Sequence, residues 1–208
     1  MKKVIILILL LINLLSPAYA DFQDGYEAYY RGDYKTAFTN MEPLAEQGDA
    51  IAQFILGELY QRGLGVRQNY DQAIKWYKKS ANQGDVDAQY NLGKLYQHGE
   101  GVKKDYKKAI TWYTKAAEKG LLHAQYNLSQ MYYIGQGVRK DSKKGAFWLR
   151  KAAEQGDANA QYNMAVVYLN GAGVKQSFSN AKYWTQLAHK NGYEYAEALW
   201  NKYELWKY

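Results

Sequence analysis

One nine-residue phrase is written four times at a fixed interval. AQFILGELY occupies residues 52–60, AQYNLGKLY 88–96, AQYNLSQMY 124–132 and AQYNMAVVY 160–168, so Ala52, Ala88, Ala124 and Ala160 stand 36 residues apart. Trp76, Trp112, Trp148 and Trp184 keep the same interval, as do Gly48, Gly84, Gly120, Gly156 and Gly192. No unit of this size can bury its own apolar face, so a chain of such units must stack neighbours to make a core.

Each unit reads as two amphipathic helices. Ala88, Leu92, Leu95 and Tyr96 recur at the spacing of one helix face, and Ala109, Trp112, Tyr113, Ala116 and Ala117 do the same further on. Between this helix A and helix B lies Gly-x-Gly-Val, at 63–66, 99–102, 135–138 and 171–174. Its first glycine ends helix A, because glycine enters the left-handed region without a Cβ clash. Asn69, Asp105, Asp141 and Ser177 then offer a side-chain oxygen to the orphan amides that open helix B. The pairs Gly84-Asp85 and Gly156-Asp157 are expected to end it. Gly57 and Gly93 fall inside helix A, where glycine costs about 1 kcal/mol against alanine. Close backbone contact is expected there, and the tryptophan of helix B is expected to plug the seam between neighbouring units.

The pattern Ala-x-x-x-Leu-Gly-x-x-Tyr, Gly-x-Gly-Val, x-Asp-x-x-x-Ala, Trp-Tyr-x-x-Ala-Ala-x-x-Gly resembles the Sel-one-like repeat family over nearly all of residues 24–195. That family is related to the tetratricopeptide repeat and has a longer interhelical loop. The resemblance implies an all-α, right-handed αα solenoid of about five helix-turn-helix repeats with a C-terminal capping helix. It also implies protein interaction as the use, since exported bacterial members act as adaptors or host-contact proteins. The expected organisation is a signal peptide at 1–20, an atypical N-terminal capping repeat at 21–49, four 36-residue repeats at 50–194 and a capping helix at 195–208. The first unit lacks Gly-x-Gly-Val, and Pro43 is expected to bend its second helix. In YAEALWNKYELWKY, Trp200 stands where Leu56 and Leu92 stand, as in a lone helix A closing the stack.

Residues 1–20 carry Lys2 and Lys3, an apolar run over 4–15, then Ala18-Tyr19-Ala20. This is the pattern of a secretory signal cleaved between Ala20 and Asp21. The apolar run is shorter than the roughly 20 residues a membrane-spanning helix needs. The expectation is a periplasmic or secreted protein that does not span the membrane after cleavage. The chain has no cysteine, which excludes disulfides, thiolate zinc sites, a cysteine nucleophile and a lipoprotein anchor. Removing Lys2 and Lys3 with the leader takes the formal charge from +7 to +5, a mild excess that without a nucleic-acid-binding module does not point to DNA or RNA.

Little in the sequence suggests chemistry. His98, His123 and His189 form no zinc-ligand spacing. Each Gly-x-Gly follows a helix and lacks the third glycine of a dinucleotide loop. No metal, cofactor or catalytic residue is expected. One catalytic pair does match: Ser179-Asn180-Ala181-Lys182 fits the Ser-x-x-Lys of serine β-lactamases, and cysteine-rich relatives in the repeat family are described as binding or hydrolysing β-lactams. A β-lactam-binding protein or β-lactamase-like enzyme is therefore the alternative reading. Its Ser-Asp-Asn and Lys-Thr-Gly partner motifs, and the bridging cysteines of those relatives, are missing.

Two surfaces are candidates for binding another protein or peptide. Helix A positions pointing away from the Ala-Leu-Tyr face should line the concave side: Phe54, Glu58, Gln61 and Arg62; Tyr90, Lys94, Gln97 and His98; Tyr126, Gln130, Tyr133 and Ile134; Tyr162, Val166, Leu169 and Asn170. The aromatic stripe at 54, 90, 126 and 162 has two readings, a recognition surface or packing between repeats. The second candidate is a basic rim of Lys103, Lys104 and Lys107 beside Arg139, Lys140 and Lys143, continued by Arg67 and Lys175. Cations at helix N-termini are disfavoured by the helix dipole. The rim is either a solvated edge or a docking site for an acidic protein or an anionic envelope polymer.

Overall fold

The computed structural model describes residues 17–208, so the expected export signal lies largely outside the described residues. Among them every regular element is helical: α1 (Pro17–Arg31), α2 (Tyr34–Glu46), α3 (Ala50–Arg62), α4 (Tyr70–Asn82), α5 (Val86–His98), α6 (Tyr106–Glu118), α7 (Leu122–Ile134), α8 (Ser142–Glu154), α9 (Ala158–Asn170), α10 (Phe178–Lys190), α11 (Ala196–Lys202), then a short 3₁₀ turn (Leu205–Lys207). Helices α3, α5, α7 and α9 are the A helices and α4, α6, α8 and α10 the B helices. The fold is all-α, built of consecutive helix hairpins in the manner of an alpha solenoid.

The chain forms two compact units, one reaching to Leu92 and taking in Glu100–Val102, the other comprising Gly93–Gly99 and Lys103–Tyr208. In the first, α1 packs on α2, α2 on α3 and α3 on α4. Ala28, Ala37, Met41, Leu44, Ile55, Leu56, Leu59 and Trp76 form a core there. In the second, packing runs from α6 through α7, α8, α9 and α10 to α11, around Ala146, Leu149, Met164, Ala165, Val167, Leu169, Trp184, Leu199 and Leu205.

The local signals act as the sequence suggests. Helices α3, α7 and α9 end on left-handed glycines, Gly63, Gly135 and Gly171. Asn69, Asp105, Asp141 and Ser177 accept from the amides of Gln72, Lys108, Lys144 and Asn180 at 3.1, 3.0, 3.0 and 3.2 Å. The turn after helix B works differently from expectation. Its glycine closes helix B, but the aspartate belongs to the next helix: Asp85 and Asp157 accept from the amides of Ala88 and Ala160 at 2.7 Å.

Three expectations need correction. Trp76 and Trp184 are buried, but Trp112 and Trp148 are only half-buried. The completely buried ring is that of the following residue, Tyr77 or Tyr113. These rings, rather than backbone, occupy the space that the helix glycines leave open; a Cβ on Gly57 or Gly93 would lie 2.5 Å from the ring of Tyr77 or Tyr113. At the C-terminus the helix ends at Lys202 instead of running on. Glu204 adopts positive φ and reverses the chain, which buries Leu205 and stacks Tyr208 on Phe178 with centroids 4.7 Å apart. Pro43 lies inside α2, which runs on to Glu46.

Candidate interaction site

In the first unit, the helix A face is tied to α1. The phenol of Tyr29 donates to Glu58, and burial, followed by that hydrogen bond, raises its pKa. Phe54 is half-buried, its ring 6.0 Å from Tyr77. Tyr90 is half-buried and Arg62 exposed. A feature missed in the sequence adjoins them: Phe22, Tyr26 and Tyr30 lie four residues apart on α1, their rings 5.7 and 4.8 Å from one another. Tyr30 is 71% exposed. Its pKa is raised chiefly by hydrogen bonding between the Tyr30 and Tyr26 hydroxyls, then by desolvation, with smaller contributions from Glu58 and Asp87. The i, i+4 spacing of aromatic residues was the available signal.

In the second unit, Tyr126 and Tyr162 both pack partly against the core. The hydroxyl of Tyr126 accepts from Asn163 Nδ2 at 3.1 Å, and Tyr162 lies 4.6 Å from the ring of Tyr193. Lys94, Gln130 and Val166 are half-buried. Tyr133 sits over Gly145, where a Cβ would lie 2.9 Å from its ring, and burial pushes its phenol up to about 12. Leu169 is core, only 4% exposed. Gln61 and Gln97, placed on the open face by spacing, instead accept from the buried phenols of Tyr77 and Tyr113, each at 2.7 Å. The tyrosine stripe is therefore partly packing. Each repeat helix A is exposed at one position in its first turn, Ile51, Asp87, His123 and Asn159, and at one in its last turn, Arg62, His98, Ile134 and Asn170, each set 36 residues apart.

The glutamine of the repeated Ala-Gln phrase has a role that the pattern alone did not reveal. Gln53, Gln89, Gln125 and Gln161 are buried, and each side-chain amide donates to a carbonyl near the end of the preceding helix B, those of Ala45, Ala81, Ala117 and Ala153. Gln83, Gln155 and Asn191 in turn donate to Gln53, Gln125 and Gln161 at 2.8–2.9 Å. A buried amide left unpaired would cost about 1–3 kcal/mol, so the network fixes the register of successive hairpins.

The basic rim is exposed at Lys103, Lys104, Lys107, Arg139, Lys140 and Lys143. The second loop glycine sets the two clusters side by side. Gly137 lies on the first turn of α6, where a Cβ would come within 2.6 Å of Tyr106. Arg139 and Lys140 thus follow directly on the segment bearing Lys107. Gly173 abuts Ser142 in the same way, adding Lys175. Beside these cations, Lys108 pairs with Asp105 at 3.6 Å. Hydrogen bonding from the Lys108 amide, with the Lys108 charge adding, holds the Asp105 carboxyl below its usual range.

The Ser-x-x-Lys pair is divided. Ser179 is exposed on the first turn of α10, whereas the Lys182 amine donates to the Tyr208 carbonyl at 3.0 Å and lies 5.8 Å from the Trp200 ring. No cluster of three or more His, Asp or Glu side chains suited to a metal occurs among the described residues.

The Sel1 repeat family model matches residues 50–85, 86–121, 122–157 and 158–193. A Sel1 repeat protein from Oxalobacter formigenes is similar in structure, with a TM-score of 0.77 and 36% identity over 81% of this chain and 69% of that one. A protective antigen of uropathogenic Escherichia coli strains, with an SLR fold, has a TM-score of 0.83 and 32% identity over 88% of this chain but 40% of its own. A sel1-like repeat-containing protein of Acanthamoeba polyphaga mimivirus is 35% identical over 57 residues, 27% of this chain. The chain spans 10% of that relative's length. Four in-register matches covering more than half of the chain, on a fold of matching hairpins, place it in the Sel1 repeat family.

Proposed function

We propose that the protein is a non-enzymatic adaptor of the bacterial envelope or its exterior, capturing another protein on its helix A face with the basic rim as a second contact. Sel1 repeat proteins are generally protein-interaction scaffolds. The observation that carries the reading here is the exposed last turn of every repeat helix A, Arg62, His98, Ile134 and Asn170, beside half-buried tyrosines. Tyrosine rings offer rigid amphipathic area at low entropic cost, and their partial burial holds them ready for contact. No described helix is long and apolar enough to cross a membrane, and the leading residues have the form of an export signal.

The test begins with the full-length chain expressed in a Gram-negative host. Protein released by osmotic shock is expected to begin at Asp21 and, once immobilised, to retain an envelope protein. That protein, purified, should rebind saturably in calorimetry. Recovery only from the membrane pellet contradicts the export part, and hydrolysis of the chromogenic β-lactam nitrocefin contradicts the non-enzymatic part.

A further inference from the structure

The basic rim borders two shallow, open grooves with the same design in successive repeats. One, of about 590 Å³, has Tyr132, Val138 and Gly173 in its lining together with Arg139, Lys140, Lys143 and Lys144. The other, of about 490 Å³, is lined by Tyr168 and Val174 with Arg150 and Lys175. Tyr132 matches Tyr168 at the 36-residue interval, and Val138 matches Val174.

The cations are not arranged to neutralise this chain's own acids. Asp141 is the only acid in either lining, and it is already engaged as the cap of α8 through the Lys144 amide. Lys144 lies 5.5 Å from the Tyr132 ring and Arg150 5.9 Å from Tyr168. Arg150 also donates to the Tyr168 hydroxyl at 2.7 Å. One cation per groove is thus set against a tyrosine ring, while Arg139, Lys140, Lys143 and Lys175 remain exposed. A row of uncompensated cations over tyrosine and valine suits a ligand that alternates carboxylates with apolar side chains. A phosphate or sulfate polymer would meet the charges but make no apolar contact with the half-buried Val138 and Val174.

We propose that the two grooves together hold one acidic peptide segment of a partner protein, its carboxylates on Arg139, Lys140, Lys143 and Lys175 and its apolar side chains on Tyr132–Val138 and Tyr168–Val174. This rests on the scaffold reading, but it concerns a different surface from the helix A face. Charge complementarity of this kind gives salt-sensitive affinity and rapid association.

The probe is a fluorescein-labelled twelve-residue peptide of alternating glutamate and leucine, followed by anisotropy at low and high salt. Two control peptides replace every glutamate with glutamine or every leucine with serine. The intact mature protein should bind the glutamate–leucine peptide at least tenfold more tightly than either control, and binding should weaken steeply with salt. The quadruple variant Arg139→Gln, Lys140→Gln, Lys143→Gln, Lys175→Gln should lose at least tenfold while keeping its helical circular dichroism. Equal binding by the quadruple variant overturns the proposal. So does equal binding of the serine control, or tighter binding of heparin or of anionic phospholipid vesicles than of the peptide, because each would mark a surface for polyanions at large. Absence of peptide binding also overturns it, and leaves capture by the helix A face untouched.

Discussion

At Gly93 the chain forgoes about 1 kcal/mol of helix propensity relative to alanine, and the ring of Tyr113 is the reason. The repeats vary this contact in compensating ways. Positions 57, 93, 129 and 165 read Gly, Gly, Ser, Ala, while 77, 113, 149 and 185 read Tyr, Tyr, Leu, Thr. Where the third repeat gives up the tyrosine for Leu149, it places Tyr133 in the position held by Gln61 and Gln97, over a glycine, Gly145, that stands where other repeats have alanine. Interiors pack densely enough for such exchanges to matter at the scale of single methylenes. Changing Gly93→Ser alone should destabilise by about 1–3 kcal/mol through overpacking. Adding Tyr113→Leu, the pairing used by the third repeat, should recover part of that loss. A double-mutant cycle in urea is expected to give a coupling of about 0.5–3 kcal/mol; purely additive changes would mean that ring and glycine are independent.

Many helix boundaries are decided by nearby residues, which is why they could be read from the sequence. Periodicity marked the two helices of every repeat, the first loop glycine marked the end of helix A, and Asn69, Asp105, Asp141 and Ser177 marked the start of helix B. What could not be read depends on contacts one helix or one repeat away. The second loop glycine is small because it rests on the preceding helix B, as Gly137 does on Tyr106, and Gln53 is present because of a carbonyl on α2. The open face was misjudged for the same reason: Gln61 and Leu169 have helix A spacing like their neighbours, but the facing helix B determines whether they are exposed. The caps have a pH signature. Asp105 has a folded pKa below its ordinary value, so its stabilisation is complete above the unfolded value of about 3.9 and is lost as pH falls through the folded value. Asp105→Asn, which copies Asn69, should keep the cap and remove this helix's share of the acid sensitivity. Asp105→Ala should lower the melting temperature at neutral pH, because the Lys108 amide loses its cap. Thermal unfolding of both variants from pH 7 to pH 3 checks this, and an alanine variant as stable as the parent at pH 7 would refute the capping role.

Across the whole molecule, one hairpin design is repeated and its surfaces are varied. The core positions keep the interval while the exposed ones drift, from Arg62 to His98, Ile134 and Asn170 at the end of helix A, and from Lys75 to Thr111, Phe147 and Tyr183 on helix B. Membership of the Sel1 repeat family accounts for the constant part. The variable part is where partner choice would be made, and on the proposed function the helix A side makes it. The most direct measurement is photo-crosslinking in intact cells, with benzoylphenylalanine introduced singly in place of Arg62, His98 or Ile134, and in parallel in place of Lys75, Thr111 or Phe147. All six sites are exposed, so the probe should not disturb folding. Crosslinks to one and the same protein are expected from positions 62, 98 and 134 and none to it from 75, 111 and 147; crosslinks to it from the helix B positions alone would mean that the helix A side does not choose the partner.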